Sequence, residues 1–362
     1  MTNRYLFILG RNPELSRAEI ISYLKAREIK FEIITEQDNL FLVEADINSR
    51  KAINSLGGTI AVGRVLVSGS KEEIINYIQK NPIYFGEENK FSYSLIGKDE
   101  EILDAIKENF KKEKLKVNLK NIEIAPEKLS GLFNYFLIGN KELDFGIIEE
   151  VYDTEEAEKR DMDKPVRRSK FAISPRLARI LINLAEVKQG ETLLDPFSGI
   201  GVIMQEALLE NINVIGIDID RKACENAGRN LKWLENKYKT RADYKLVNKD
   251  SGRVILRGIH GIACEPQLGM LLKKSPSPAQ TLEIMRKFER MISFIFTNLK
   301  YSLKQGGKIA FTSPLILAGN KRIGCDITNI IKKTGLRLVS EFKEEKEGKI
   351  VSREIYVLER QN

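Results

Sequence analysis

The chain has 362 residues, 42% hydrophobic and 30% charged, with a formal net charge of +8. That length supports two or three domains with their own cores, and the balance excludes a disordered chain. The positive charge permits a polyanionic partner without demanding one. No apolar run is long enough to cross a bilayer, and the N-terminus Met-Thr-Asn-Arg-Tyr lacks a signal core, so a cytoplasmic protein is expected. Cys224, Cys264 and Cys325 form no C-x-x-C pair, which argues against a zinc site. A single histidine, His260, leaves little room for His-based acid–base chemistry.

The first stretch reads as β-α-β-β-α-β, with a strand at Tyr5 to Leu9 and a helix from Ser16 to Arg27. A strand pair follows, Phe31 to Ile34 and Leu40 to Val43, then a helix from Ser49 to Leu56 and a closing strand from Ile60 to Val67. This is the split βαβ order of ferredoxin-like modules. A second small α/β unit is predicted from a helix over Lys71 to Lys80, a strand over Lys90 to Ile96 and a helix over Glu100 to Lys112. It ends in a strand over Leu115 to Leu119 and a hairpin between Leu132 and Glu149 that turns at Asn140-Lys141. Its lysines from Lys111 to Lys120 read first as a solvated face.

Asp153 to Arg179 reads as a polar connection rich in cations: Lys159, Arg160, Lys164, Arg167, Arg168, Lys170, Arg176 and Arg179. Such a linker could steer a polyanion, or it could simply be solvated. Pro175 opens a helix with Leu177, Ile180, Leu181 and Leu184 on one face.

The stretch Thr192 to Asp220 predicts strand, tight turn, helix and strand. Asp195 and Asp218 close the two strands, and Gly199 and Gly201 bracket the turn. In an open α/β sheet the ligand crevice lies beyond the carboxyl ends of the strands, so both acids share a rim. The second acid follows the turn at the spacing that reaches a ribose diol. A dinucleotide fingerprint would need a third glycine where Met204 stands, which argues for another cofactor. Further strands are predicted at Tyr244 to Val247, ending near Asp250, and at Ile259 to Cys264, running into Glu265-Pro266-Gln267-Leu268. Apolar positions from Leu282 to Leu303 repeat at helical spacing, with Gly306-Gly307 as the expected stop and Lys308 to Thr312 as the next strand. Leu336 to Phe342 and Ile350 to Leu358 read as a closing hairpin.

Asp195-Pro196-Phe197-Ser198-Gly199-Ile200-Gly201 resembles the first motif of S-adenosylmethionine-dependent methyltransferases that act on exocyclic amines. Over nearly its whole length the chain resembles the archaeal-type tRNA (guanine-N2)-methyltransferases that carry a THUMP domain. The N-terminal Tyr5 to Ser16, the linker Arg160 to Pro165, the lead-in Ser174 to Arg179 and the loop Asp195 to Gly201 carry that resemblance. Ser198 and Ile200 stand where cysteine and threonine are usual.

The resemblance implies an α/β protein with a ferredoxin-like domain over 1–68, a THUMP tRNA-binding domain over 69–152 and a basic linker over 153–174. A Rossmann-like class I methyltransferase domain over 175–362 would follow, with a seven-stranded sheet containing one antiparallel strand. The implied cofactor is S-adenosylmethionine, held by Asp195, Pro196, Phe197, Ser198, Gly199, Gly201, Asp218, Ile219, Asp250 and Ser251. The implied partner is tRNA, met by Lys164, Arg167, Arg168, Lys170 and Arg176, with room for a small activating protein; otherwise a monomer is expected.

The acceptor motif departs from the family. Asp-Pro-Pro-Tyr is usual, and this chain has Glu265-Pro266-Gln267-Leu268 at the expected catalytic positions. Glu265 keeps an acceptor for the target amine but reaches one methylene further. Leu268 forgoes base stacking, typically worth ~1–3 kcal/mol. Methylation of a guanosine N2 amine, first at position 10 of tRNA, is the expectation. A non-catalytic tRNA-binding protein and a methyltransferase acting on another RNA position or on DNA remain open.

Overall fold

In this computed structural model, Asn3–Leu9 (β1) buries five apolar side chains in succession, as a strand covered on both faces does. The structure describes residues 3–167, 173–266, 272, 274–345 and 348–361. After β1 come Pro13–Ala26 (α1), Phe31–Gln37 (β2), Leu40–Ala45 (β3), Ser49–Ser55 (α2) and Thr59–Gly69 (β4). The expected β-α-β-β-α-β order is therefore present. Then follow Lys71–Lys80 (α3), Lys90–Ile96 (β5), Glu100–Lys112 (α4), Lys116–Leu119 (β6), Pro126–Leu129 (α5), Phe133–Gly139 (β7) and Leu143–Val151 (β8). Helix α3 starts on a capping box, with Ser70 and Glu73 each bonded to the other's backbone N–H.

Among the described residues these strands share one sheet in the order β2-β3-β1-β4-β8-β7-β5-β6. The antiparallel pairing of β4 with β8 joins what read in sequence as two modules. An aromatic core lies under the second half, where Tyr93, Phe110, Tyr135 and Phe145 are all buried.

The polar connection is partly helical: Thr154–Asp163 (α6) carries it, with Ala157 and Arg160 buried. Beyond it lie Pro175–Leu184 (α7), Thr192–Asp195 (β9), Val202–Leu209 (α8), Asn213–Asp218 (β10), Arg221–Tyr238 (α9), Tyr244–Asn248 (β11) and Ile259–Cys264 (β12). The chain continues through Pro278–Leu299 (α10), Leu303–Ala318 (β13), Lys321–Ile323 (β14), Ile327–Thr334 (α11), Leu336–Glu344 (β15) and Val351–Arg360 (β16). The sheet order is β11-β10-β9-β12-β13-β16-β15, with β14 paired to β13 off that path. Among the described residues only β16 on the path runs against its neighbours, the expected seven strands with one antiparallel. Its two faces bury separate cores. One sets Leu193, Val214, Ala263 and Ile355 against α7 and α8; the other sets Leu194, Ile262 and Phe311 against Phe288, Ile292 and Phe296 of α10.

Contacts divide the chain into one unit of Met1–Pro13 with Ile29–Glu156 and a second of Glu14–Glu28 with Ala157–Asn362. Helix α1 therefore belongs with the second unit. Its Leu15 joins that core, and its buried Glu19 accepts a hydrogen bond from Asn183 Nδ2 at 2.9 Å.

Two readings of the C-terminal half need correction. Leu303 fits the helical period, yet α10 ends at Leu299 and Leu303 pairs with Ile259 of β12. The pair Gly306-Gly307 lies inside β13 and does not stop the helix. Gly306 takes a φ of 69°, and the β12–β13 register shifts opposite this segment. Helix α11, capped by Asp326 and closed by Gly335, and strand β14 are absent from the sequence expectations.

Candidate active site

Three parallel strands, β10, β9 and β12 in sheet order, end at one rim and carry Asp218, Asp195 and, one residue past the strand, Glu265. The turn after β9 is held by its own short-range bonds. Phe197 N–H donates to Asp195 Oδ1 at 3.1 Å, Ser198 N–H to Ile217 O at 2.9 Å and Gly201 N–H to Ser198 O at 2.7 Å. Asp218 braces the turn from the next strand, accepting from Gly199 N–H at 2.8 Å and from Asp220 N–H at 2.9 Å.

Gly199 and Gly201 have φ of 52° and 84°, the left-handed region that a side chain disfavours. The close packing for which a dinucleotide fold spends a third glycine is achieved here from the strand. A Cβ on Gly216 of β10 would lie 2.3 Å from Met204 Sδ, so Met204 fills the space that this glycine leaves.

Ser251 follows β11 and donates its hydroxyl to Pro196 O at 2.5 Å, a brace across the first turn. Asp250 accepts from Gly252 N–H at 3.0 Å and lies 3.5 Å from Arg253. Phe197 packs on the α10-side core, while Ile219 is exposed beside Asp218. The Ser198 hydroxyl is buried and has no hydrogen-bond partner.

Burial pushes the Asp195 carboxyl up to about 8; the Phe197 N–H opposes this, and the charges of Asp218 and Glu265 add to it. Burial likewise pushes the Cys264 thiol well up, which keeps it inert. A buried carboxyl among further carboxylates favours a cation. S-adenosylmethionine carries a sulfonium, an ammonium and a ribose diol, so this donor set fits it, and an unpartnered buried hydroxyl stands in the same turn.

Glu265 and Pro266 close β12. Gln267 and Leu268, also expected at the acceptor, lie outside the described residues, as do Arg168 and Lys170 of the expected RNA contacts. Sequence reasoning missed Arg353 of β16, whose Nε donates to Glu265 Oε1 at 2.6 Å. It also missed Asn248, whose Nδ2 donates to the carbonyls of Asp218 and Ile219, each at 3.0 Å. A third omission is Asn230 of α9, fully buried. It accepts from Val166 N–H at 2.9 Å and donates to the carbonyls of Val166 and Ile200, each at 3.0 Å. Each of the three acts through partners far away in the chain, so no local pattern marks it.

The basic connection also needs correction. Lys164 is buried and paired with Asp161, so it cannot face a phosphate as expected. Arg160 and Arg179 are buried on Glu206 of α8, at 3.4 and 2.6 Å. Arg167 is exposed and Arg176 half-buried. Part of the charge that reads as a solvated linker therefore neutralises one buried glutamate.

The profile described as RMKL-like, methyltransferase domain matches residues 165–306, and the one described as DNA methylase matches residues 14–229. The chain is 31% identical to a tRNA (guanine(10)-N2)-dimethyltransferase of Methanothermobacter thermautotrophicus, over 40% of this chain and 39% of that one. It is 31% identical to the protein of the same name from Methanocaldococcus jannaschii, over 48% of this chain and 49% of that one. The matches thus span about half or less of those relatives. TrmN from Thermus thermophilus superposes with a TM-score of 0.54 at 15% identity, over 99% of both chains, and shares the fold. The DNA methylase profile covers more than half of the sequence, and the chain belongs to that methylase family.

Proposed function

We propose that the chain transfers a methyl group from S-adenosylmethionine to the N2 amine of a guanosine in tRNA, with position 10 the first candidate. The observation that carries this reading is the convergence of Asp195, Asp218 and Glu265 beyond three adjacent strands over a glycine turn. The names of the curated relatives support tRNA as the acceptor.

Asp218 would hold the ribose diol and Asp250 the adenine edge. Asp195 would face the cationic end, and its buried carboxyl would ionise as that charge arrives. When bound, the cofactor supplies a methyl group already activated by the sulfonium charge, so neither a metal nor a covalent nucleophile is needed. The protein's task is to position the acceptor. Glu265 would accept a hydrogen bond from the amine and aim its nitrogen, which counts because that lone pair is delocalised into the base. The N-terminal strands and helices would hold the tRNA largely through phosphate contacts, with Arg167 contributing at the connection.

The profile described as DNA methylase supports a second reading, an amine in DNA as the acceptor. One experiment separates them. The protein is incubated with tritiated S-adenosylmethionine and either an unmodified tRNA transcript or duplex DNA, and the products are digested to nucleosides for mass spectrometry. Methylguanosine from the transcript alone is the expected result. Label in DNA alone would replace this reading with the second.

A further inference from the structure

The acceptor acid is not left to find its own geometry. Glu265 stands one residue beyond β12, its side chain 9% exposed, and the Arg353 Nε lies 2.6 Å from its Oε1. Arg353 is placed by strand register on both sides, opposite Pro314 of β13 and opposite Glu344 of β15. Its Nη1 lies 3.8 Å from Glu344 Oε2, an oxygen with no hydrogen-bond partner. The guanidinium therefore lies between two carboxylates, one just past β12 and one at the end of β15. We propose that Arg353 is a positioning residue for methyl transfer, fixing the Glu265 carboxylate in the orientation that accepts the target amine.

Acidic groups surround Glu265. Asp195 of β9 is close enough to feel the Glu265 charge, Asp218 lies on the same rim, and Glu344 follows behind Arg353. Like charges this close repel, and an unrestrained glutamate would turn its oxygens away from its acidic neighbours. A guanidinium remains charged at any working pH and donates directionally through a planar fork. Its bond to Oε1 is charge-assisted and restrains the extra side-chain torsion that glutamate has over aspartate. A carboxylate has about four acceptor positions, and the single bond from Arg353 takes up only part of that capacity. The longer acid and the arginine then work together, the second compensating for the reach of the first.

This role rests on the proposed transfer to an amine, and the test separates the two. The full chain, saturated with tritiated S-adenosylmethionine, is mixed with the unmodified tRNA transcript and followed through a single turnover. R353M should transfer about 100-fold more slowly, with cofactor affinity by calorimetry within about twofold of the unaltered chain. R353K keeps the charge without the fork and should recover part of the rate. Equal rates in R353M and the unaltered chain would overturn the role of Arg353 and leave the transfer standing. Loss of cofactor affinity together with the thermal transition in R353M would make the residue structural and also overturn it. An unaltered chain that binds cofactor and leaves the transcript unmethylated would overturn the functional reading itself, and this role with it.

Discussion

The two sides of the rim are built differently. On the cofactor side, the turn after β9 closes through bonds between near neighbours, Phe197 to Asp195 and Gly199 to Asp218, 2 and 19 residues apart. On the acceptor side, Glu265 is set by Arg353, 88 residues away. A site closed within one βαβ unit folds wherever that unit folds. A site closed across the sheet exists only once β16 has inserted beside β13. The cofactor side should therefore tolerate changes at the far edge that the acceptor side does not.

The largest expected effect tests how the cofactor side is anchored from behind. Glu206→Ala leaves Arg160 and Arg179 buried without their shared partner, and breaking a buried pair costs about 3–5 kcal/mol. Thermal unfolding of the ligand-free chain should show Tm lower by ~10 °C. An unchanged Tm would mean that this buried cluster does not anchor α8. Next, Glu265→Gln keeps the size and removes the charge, so single-turnover transfer should fall by roughly 100- to 1,000-fold. Cofactor affinity should hold, and a parallel loss of both would erase the distinction between the two sides.

Asp218→Ala acts on the other side. It removes the expected ribose acceptor and strands the N–H groups of Gly199 and Asp220, so calorimetry should show cofactor affinity weaker by roughly 10- to 100-fold. The smallest effect, taken per pH unit, concerns pH. The Asp195 carboxyl is pushed up to about 8 in the folded chain, above its ordinary value of 3.8. The folded state thus binds a proton that the unfolded state has released. That contribution to stability is full below about pH 4 and is lost as pH rises toward 8, by at most ~1.4 kcal/mol per pH unit. Asp195→Asn should flatten this part of the slope when unfolding is followed from pH 5 to 8. Cofactor affinity of the unaltered chain should rise over the same window, because the incoming cation favours the ionised acid.

Those two modes of closure also explain what could be read in advance. Asp195, Gly199, Gly201 and Asp218 lie within one stretch whose spacing follows from strand, turn and helix geometry, so the cofactor side was legible. The succession of most strands and helices was legible too, from apolar runs and caps, whereas the seven-stranded sheet with one antiparallel strand came from the family resemblance. Arg353 sits in a strand whose alternation says only that it is a strand; its role depends on register with β13 and β15. Leu303 misled because one leucine satisfies both a helical period and a buried strand. Lys164 and Arg160 misled because sequence shows charge and not the carboxylate that meets it.

Asn230 couples two segments that the chain separates widely. Its amide bonds both polar groups of Val166 and also the carbonyl of Ile200, in the glycine turn. A backbone proton bonded to a fully buried side chain exchanges with solvent only when that locality opens. Opening at Val166 and opening at the turn therefore share one event. Deuterium uptake at Val166 becomes a clock for the turn, and it should run slower once S-adenosylmethionine is present, although Val166 is not among the residues expected to touch it.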